Sequence, residues 1–374
     1  MLLFRTEKEC GCISMKKLVF FSYIASPHQV RFQPYLQKYY DSYFFFYEEL
    51  GDRQKWWRVD LGDRCKVLNC WFKWRCKYVT FLPFRYLWRI KPDIVMLGGF
   101  SIPANYLCYL WARWHGCKTV VLTERSRDRT GKLRKYDLIW RIIHFLYRKV
   151  DLVICMGPDF VSQFRDEFHF GDKVAAGRYP CDCDKYFKHR QRLKKEAYTL
   201  IYANRMVDIY DPLMAIDIFV GVLKRHPKTK LKINASGVLR PQVEAAIDRY
   251  GIRTSVEFLD HIQHWDDLDQ IYQACDIMYL PAKFSNGNYT LVEAMCSGMG
   301  IVISDKVRGV RARILKERET GFVVPHEVQP FVEKICWIIE HPEFFDRVTS
   351  INRETTKPLT MEVTASLYNR LIGN

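Results

Sequence analysis

The stretch FSNGNYTLVEAMCSGMGIVIS, residues 284–304, decides how this chain should fold. Two asparagines and a glycine at 286–288 lead into a short helical pattern, and small residues then precede the apolar strand pattern IVIS. A turn made only for packing needs one Gly or Asn, whereas this turn has three in a row. Glycine lets a ligand approach the backbone, and a helix N terminus attracts phosphate through its free N–H groups and partial positive charge. We therefore expect this segment to bind an anionic ligand.

Strand and helix patterns alternate on both sides of this segment. In the second half the predicted strands are 198–203, 229–234, 255–259, 276–280 and 300–304, and the predicted helices are 211–225, 240–250, 266–274 and 290–297. The segments GFVVP and HEVQPFVEKICWIIEH add a further strand and helix. In the first half the predicted strands are 17–22, 42–47, 76–82, 93–98, 118–123 and 151–156, and the predicted helices are 28–39, 102–115 and 136–148. Apolar strands that alternate with amphipathic helices are typical of a parallel sheet covered on both faces.

A charged segment without apolar periodicity, KHRQRLKKEA at 188–197, separates the two alternating blocks. We predict four parts of the chain: an N-terminal extension (1–14), a first α/β domain (15–190), a second α/β domain (198–355) and a C-terminal helix (356–374) that could pack back on the first domain. Two doubly wound domains in tandem put the carboxyl ends of their strands around a shared cleft, where ligands bind.

Positive charge is concentrated in the first half of the chain. The net charge is +16, and residues 51–150 hold 22 Lys and Arg against 7 Asp and Glu, whereas residues 201–374 hold 21 against 22. The first half is therefore expected to meet an anionic partner.

The 13 cysteines lack the spacing of a zinc site, which predicts reduced thiols and a reducing compartment. The apolar run after Met15 favours a buried first strand over a signal peptide, and no run is long enough to span a membrane.

Two stretches interleave aromatic residues with cations, KWWR at 55–58 and WFKWRCKYVTFLPFRYLWRIK at 71–91. Trp and Tyr suit a bilayer interface, and Lys and Arg attract anionic head groups. The alternative is a buried core whose cations reach solvent. The excess positive charge favours an anionic membrane surface or another polyanion, so we expect a cytoplasmic protein that could lie at the periphery of a membrane.

The second half resembles a known enzyme family. The segment ACDIMYLPAKFSNGNYTLVEAMCSGMGIVISD, residues 274–305, is similar to the donor-site region of glycosyltransferase family 4, whose members are retaining, nucleotide-sugar-dependent enzymes of the GT-B fold. LIYANRMVD at 200–208 and ERETGFVV at 317–324 resemble two further family segments. The resemblance implies an α/β architecture in which two Rossmann-like, doubly wound parallel-sheet domains face a central cleft.

The resemblance also implies roles for residues at the donor site. Glu293 corresponds to the family's ribose-binding glutamate, and Arg205 to the arginine that reaches the donor phosphates. The further residues expected to contact the donor are Leu280, Ser285, Asn286, Gly287, Asn288, Tyr289, Thr290 and Lys306. The alternative for Glu293 is a favourable first-turn acid on a packed helix.

Two positions depart from the family pattern. Ser285 stands where the family has a sugar-binding glutamate, so loop asparagines or backbone N–H groups would have to make that contact. Tyr210 stands where a second phosphate-binding cation, a lysine, is expected. The candidate substitutes for this lysine are Lys306, Arg308 and Arg311. The alternative for these three cations is a solvated basic face.

Three loops of the first half end at the predicted cleft. His28 follows the first strand, where an exposed histidine could donate a hydrogen bond or shuttle a proton, and helix capping is the alternative. Glu124 and Arg125 follow the strand 118–123. Glu124 could orient or deprotonate an acceptor hydroxyl, and Arg125 could bind the acceptor or a phosphate. The paired glycines of LGGFS at 97–101 would admit a ligand to the backbone.

The resemblance implies retaining transfer from a UDP- or GDP-type sugar to a hydroxyl of a growing glycan, which could be lipid-linked. Arg205, the helix 290–297 and nearby cations would stabilise the leaving diphosphate without a metal or other cofactor, and the departing phosphate can help to deprotonate the acceptor.

Two alternative functions stay open. One is a glucosyltransferase that modifies DNA bases, although nucleic acid is the less expected partner; the other is a degenerate binding protein, which Ser285 and the absent lysine favour. The sugar, the linkage and the oligomeric state are not decided by the sequence.

Overall fold

The computed structural model of the protein describes residues 15–51, 53, 55–68, 70, 73–74, 77–124, 133–187, 196–285, 289–307, 315 and 319–373. Within these residues the chain forms one parallel sheet of seven strands, a second parallel sheet of six strands and a separate two-stranded hairpin. The prediction of two α/β units with parallel sheets is therefore confirmed. The predicted domain boundaries stay predictions, and the proposed extension 1–14 lies outside the described residues.

The first sheet is formed by residues 17–177, which also contain the hairpin. In chain order the strands are β1 (Lys17–Ile24), β2 (Asp41–Glu48), β3 (Cys65–Val67), the hairpin strands β4 (Lys73–Trp74) and β5 (Lys77–Tyr78), β6 (Ile94–Gly98), β7 (Lys118–Thr123), β8 (Leu152–Met156) and β9 (Val174–Gly177). The order in the sheet is β3-β2-β1-β6-β7-β8-β9. Runs such as LVFFSY in β1 are apolar on both faces, as parallel strands between helices require.

The second sheet repeats this design in residues 199–324. Its strands are β10 (Thr199–Tyr202), β11 (Lys230–Ile233), β12 (Val256–Phe258), β13 (Ile277–Leu280), β14 (Gly300–Ser304) and β15 (Gly321–Val324). All pairs are parallel and the order is β12-β11-β10-β13-β14-β15. The order reverses direction beside β10, so the first strand of the block lies at the middle of the sheet, where such folds open a crevice.

Helices connect the strands and cover both sheets. They are α1 (Pro27–Leu36), α2 (Leu82–Ile90), α3 (Pro103–Trp114), α4 (Leu133–Tyr147), α5 (Cys183–Tyr186), α6 (Pro212–Arg225), α7 (Arg240–Arg249), α8 (Leu268–Gln273), α9 (Tyr289–Cys296), α10 (Val328–Glu340), α11 (Phe344–Thr356) and α12 (Met361–Gly373). Ser26 caps α1 by accepting from the Gln29 N–H, and Asp211 caps α6 in the same way through Met214. Each cap precedes a proline, the residue favoured at the first helical position. Across the described ranges, no helix combines the length and the apolar character needed to cross a bilayer.

The first sheet is covered by different helices on its two faces. Residues of α1 and α12 share one apolar core with the sheet, and residues of α2, α3 and α4 share the other. The C-terminal helix α12 therefore packs on the first sheet, with Tyr368 edge-on to Phe32 of α1 at a ring distance of 5.5 Å. The last helix of the chain thus ties the second half to the first.

The predicted strand 76–82 is wrong over most of its length. Only Lys77–Tyr78 is strand, in the antiparallel hairpin, and α2 begins at Leu82. Pro83 in the first turn accounts for the helix start, because proline fixes a helical φ where no N–H partner is needed. The sequence pattern also misses β3 and β9, whose sequences CKV and VAAG contain no run of β-branched or aromatic residues.

Charged and aromatic side chains connect the two domains beside the cleft. Arg31 of α1 pairs with Asp182 at 3.1 Å and also with Asp266, which precedes α8. Its guanidinium lies 4.9 Å from the ring centre of Trp265, and Lys185 Nζ lies 3.9 Å from the same ring. Burial lowers the pKa of Lys185, against the opposing effect of Asp266. The indole is therefore held between two cations from separate segments.

Candidate active site

A cavity of about 550 Å³ lies between the two sheets. Residues at or just beyond the carboxyl ends of strands line it from both domains. They include Ile24, Gly98, Thr123 and Met156 from the first domain, and Ala203, Asn234 and Leu259 from the second. This is the crevice in which doubly wound α/β folds bind ligands.

Glu293 lies in this cavity on the second turn of α9 and is 3% exposed. Its Oε2 accepts a hydrogen bond from the Tyr272 hydroxyl at 3.1 Å, and its Oε1 lies 3.1 Å from His28 Nε2. A carboxylate has about four acceptor sites, so each oxygen keeps a lone pair for a ligand. The carboxyl group is thus oriented from two sides and retains capacity for hydroxyl donors.

Tyr272 belongs to α8, is buried and lines the cavity. Burial, and then the charge of Glu293, raise the pKa of this phenol well above its usual value. The hydroxyl therefore stays protonated at neutral pH, and it orients Glu293 by donating a hydrogen bond to the carboxylate. Sequence reasoning misses Tyr272, because one buried tyrosine on a predicted helix has no pattern that marks it as functional.

His28 contacts the second domain from the first turn of α1. The predicted exposed histidine is wrong: His28 is 1% exposed, because its ring stacks on Tyr289 at 3.8 Å and meets Trp265 edge-on at 5.2 Å. An ionised carboxylate only accepts, so the contact with Glu293 places the hydrogen on Nε2. The buried Nδ1 has no hydrogen-bond partner among the described residues, although His28 lines the cavity. His28 therefore joins the two domains at Glu293.

Arg205 follows β10 and lines the cavity as a half-buried cation. Its neighbour Asn204 accepts at Oδ1 from Thr290 Oγ1 at 3.1 Å. This bond ties the end of β10 to the first turn of α9. The bond therefore brings the segment that carries Arg205 to a helix N terminus, and an arginine and a helix N terminus both favour phosphate.

The remaining predicted donor residues fall into three groups. Tyr289 and Thr290 line the cavity, whereas the predicted loop residues Asn286, Gly287 and Asn288 lie outside the described residues. Ser285 is buried and forms an isolated β-bridge with Val307, and Leu280 is part of the apolar core behind the cavity.

Lys306, a predicted phosphate-binding cation, is exposed, with Nζ 2.9 Å from Asp305 Oδ2, and is not among the residues that line the cavity. Arg308 and Arg311 also lie outside the described residues.

The predicted acceptor side of the cavity is built around Glu124. Glu124 follows β7, is exposed and lines the cavity, while Arg125 lies outside the described residues. Tyr179 lines the cavity beside it, and burial followed by the Glu124 charge raises the pKa of this phenol well above its usual value. A carboxylate and a protonated phenol therefore lie together where an acceptor would enter from the first domain.

Further cavity residues come from the stretch KWWR and its surroundings. Trp56 and Trp57 line the cavity, so two aromatic residues of this stretch lie in the cleft, and the membrane interpretation of the stretch stays a prediction. Arg53 lines the cavity too, with its guanidinium 5.0 Å from the Trp57 ring centre. Tyr210, which stands at the expected lysine position, is another lining residue. Arg53 is thus a cation in the cavity that the family pattern does not indicate.

No group of three or more His, Cys, Asp or Glu side chains in the described ranges is arranged to hold a metal ion. Metal independence of the reaction stays a prediction, as does the expected absence of any other cofactor.

Comparison with known proteins agrees with this geometry. Residues 184–355 match the family model for glycosyl transferases group 1. A stretch of 148 residues is 28% identical to an exopolysaccharide phosphotransferase of Streptomyces coelicolor, and it covers 39% of this chain. This chain spans only 15% of the length of that curated relative. The family match therefore lies mainly in the second domain.

Solved structures resemble nearly the whole chain. HepE of Anabaena, in complex with UDP and glucose, superposes with a TM-score of 0.74 at 13% identity, covering 96% of this chain and 100% of HepE. Sucrose-phosphate synthase from Thermosynechococcus elongatus gives a TM-score of 0.73 at 13% identity with the same two coverages. At these identities the likeness establishes the fold, which is the GT-B architecture of two Rossmann-like domains around a cleft.

Proposed function

We propose that this protein is a retaining glycosyltransferase that moves a sugar from a nucleoside-diphosphate sugar to a hydroxyl of a growing glycan. The observation that carries the proposal is the joint placement of Glu293, Arg205 and the N terminus of α9 in one interdomain cavity. The glycosyl transferases group 1 region and the GT-B fold support it, as does the complex of HepE with UDP and glucose.

The nucleotide would be held by Glu293 and Arg205. The two carboxylate oxygens of Glu293 each retain a lone pair beside the bonds to His28 and Tyr272, which suits the two adjacent hydroxyls of a ribose. Arg205 and the N–H groups at the start of α9 would neutralise the diphosphate. Because both are present before reaction, they would also stabilise the charge that develops on the leaving phosphate.

The acceptor would enter from the first domain, beside Glu124 and Tyr179. Glu124 would orient the acceptor hydroxyl, and Tyr179 would donate a hydrogen bond to the acceptor or the sugar. His28 would act as a hydrogen-bond partner of the transferred sugar through its second ring nitrogen. Retention then needs no protein nucleophile, because the departing phosphate takes the acceptor proton on the face it leaves. The transferred group would be a hexose or pentose, and the acceptor glycan would be lipid-linked at the cytoplasmic face of a membrane.

A donor panel tests this function. The purified protein is incubated with UDP- and GDP-sugars in water, since slow donor hydrolysis needs no identified acceptor, and the anomeric configuration of the released sugar is followed by proton NMR before it equilibrates. We expect one donor to be cleaved with its configuration retained. Arg205→Met should lower kcat on the order of a hundredfold, whereas Arg249→Met on the exposed side of α7 should not change it. Release of the opposite anomer would overturn retention, and cleavage of no donor would overturn the proposed transfer.

A further inference from the structure

The outer side of the helices on one face of the first sheet carries large apolar side chains in solvent. On α4 these are Leu138, Ile139, Ile142 and Phe145, which are about half exposed or more. Their spacing of one, three and three residues places them on one side of the helix, opposite the side that packs on the sheet. A globular helix normally shows polar residues there, whereas α4 is apolar on its outer side as well as on the side that packs on the sheet.

The neighbouring helices continue this apolar surface. Leu110 and Trp114 lie one turn apart on the outside of α3, and Trp114 is 88% exposed. Trp88 of α2 is exposed as well, and its ring lies 5.6 Å from that of Trp111 on α3. Tyr109 of α3 and Tyr147 of α4 are 4.9 Å apart beneath the surface. The three helices are therefore in contact, and we call their solvent side the outer helical face.

Positive charge surrounds these side chains. In sequence, α2, α3 and α4 together contain six Lys and Arg residues and a single Asp. Arg85 and Arg89 on α2 and Arg141 on α4 are exposed. The Arg148 guanidinium, just beyond α4, lies 4.8 Å from the ring centre of Phe145. The outer helical face is thus an apolar strip with a cationic border.

We propose that the outer helical face binds the surface of an anionic lipid bilayer. Exposed Trp and Phe side chains insert at the level of the head groups, and the surrounding Arg and Lys side chains contact anionic lipids. A second copy of the chain is a poorer occupant, because two such faces brought together would oppose like charges. Binding is peripheral, through side chains of helices that stay packed on the sheet.

The position of α4 relates this surface to the cleft. Glu124 lines the cavity, and α4 begins nine residues further on at Leu133. The N-terminal end of α4 lies on the cleft side of the sheet because it follows the carboxyl end of β7. A bilayer on the outer helical face would therefore lie beside the acceptor side of the cavity. The membrane contact itself does not depend on the proposed transferase activity.

Vesicle sedimentation tests the proposal. The full chain is mixed with vesicles of phosphatidylcholine alone or of phosphatidylcholine with phosphatidylglycerol, at low and high salt. We expect binding to the anionic vesicles that is strongly reduced at high salt. Arg141→Glu, which changes the charge by two, should lower the affinity on the order of tenfold or more, and Trp114→Ser should lower it as well. The matched controls Lys224→Glu and Val238→Ser change an exposed cation and an exposed apolar side chain of the second domain and should leave binding unchanged.

Two kinds of result overturn the proposal. Absence of vesicle binding, or equal binding to neutral and anionic vesicles, contradicts an anionic lipid surface. A dimer in sedimentation velocity that Trp114→Ser dissociates would assign the face to a second copy. Nucleotide binding is measured on the same variants: if it persists while vesicle binding is lost, the membrane contact and the donor site are independent. Loss of the donor site alone would leave the membrane proposal standing.

Discussion

Glu293 receives its position from two residues that belong to different domains. The Tyr272 hydroxyl of the second domain donates a hydrogen bond to one carboxylate oxygen. His28 Nε2 of the first domain contacts the other carboxylate oxygen. The orientation of the Glu293 side chain thus depends on the positions of both α8 and α1 beside the cavity. This dependence separates Glu293 from an ordinary first-turn acid, whose contacts would be local to its own helix.

We predict that Tyr272→Phe weakens nucleotide binding without abolishing it. The Tyr272 hydroxyl already orients Glu293 in the free protein through a charge-assisted hydrogen bond. Without this bond the carboxylate has to be ordered when the nucleotide binds, so the Kd for the preferred nucleotide should rise about tenfold. Isothermal titration calorimetry measures this change directly.

Tyr279→Phe is the matched control for that variant. The Tyr279 hydroxyl is also buried and donates to the Ala215 carbonyl at 2.9 Å, but Tyr279 does not line the cavity. Both variants should lower the free energy of unfolding, and Tyr279→Phe should keep the original Kd. Equal Kd values for the two variants would contradict a positioning role for Tyr272.

At the scale of secondary-structure elements, close contact between α6 and α10 holds one side of the second domain. Gly221 lies inside α6 directly against Val332 of α10. A Cβ at position 221 would lie 2.5 Å from Val332 Cγ2, which is too close for any packed pair. The glycine is therefore required by packing, although glycine inside a helix lowers its intrinsic stability.

We predict that Gly221→Ala destabilises the second domain. Alanine gains about 1 kcal/mol of helix propensity over glycine, whereas overpacking in a filled core costs typically 1–3 kcal/mol. The net free energy of unfolding should therefore fall by about 1 kcal/mol, measured by urea denaturation.

The double variant Gly221→Ala/Val332→Ala gives the internal control. Removing the two Val332 methyl groups makes room for the new Cβ, so the loss in the double variant should be smaller than the sum of the two single losses. Strict additivity of the three values would show that the two helices do not compete for this space.

The sequence predicts the long, regular elements well and the irregular ones poorly. The strand 118–123 and the helices around 212–225 and 290–297 have clear apolar periodicity and lie where expected. The strand 76–82 is wrong because its aromatic residues fit strand and helix equally, and only Pro83 marks the change. Glu293 and Arg205 each lie in a segment that resembles the family, which predicted that both would reach the cleft, and both line the cavity. Tyr272 and Arg53 come to the cavity through tertiary packing, which no local pattern encodes.

At the scale of the whole molecule, the two sheets meet through a small number of contacts around the cavity. Arg31, Lys185 and His28 approach the second domain at one side of the cleft, and α12 returns from the second domain to pack on the first sheet. The two sides of the cavity are therefore held together by the path of the chain as well as by side chains.

We predict that the whole protein loses stability at alkaline pH. Burial raises the pKa of the Cys65 and Cys155 thiols to about 12, from an ordinary value of 9.0. In the unfolded chain these thiols lose their protons from about pH 9 upward, while the folded protein keeps them, so deprotonation favours unfolding. The free energy of unfolding should fall by up to about 1.4 kcal/mol per thiol for each pH unit above pH 9.

Urea denaturation at about pH 8 and about pH 10 measures this loss. The variant Cys65→Ala/Cys155→Ala should be less stable at the lower pH, because alanine leaves cavities, and should show a shallower decline with pH. An equal decline in the variant and the parent would assign the alkaline sensitivity to other groups.

The central claim is that Glu293 belongs to a nucleotide-binding site, and thermal unfolding with a panel of nucleotides tests it most directly. UDP, GDP, ADP and CMP are added to the parent protein, to Glu293→Gln and to Glu333→Gln, a control on the exposed side of α10. A nucleotide at 100 times its Kd stabilises the folded state by about 2.7 kcal/mol, which raises Tm by a few degrees. We predict that UDP or GDP raises the Tm of the parent and of Glu333→Gln, and that Glu293→Gln loses most of this rise. A rise that Glu293→Gln retains in full, or no rise with any nucleotide, would contradict the account.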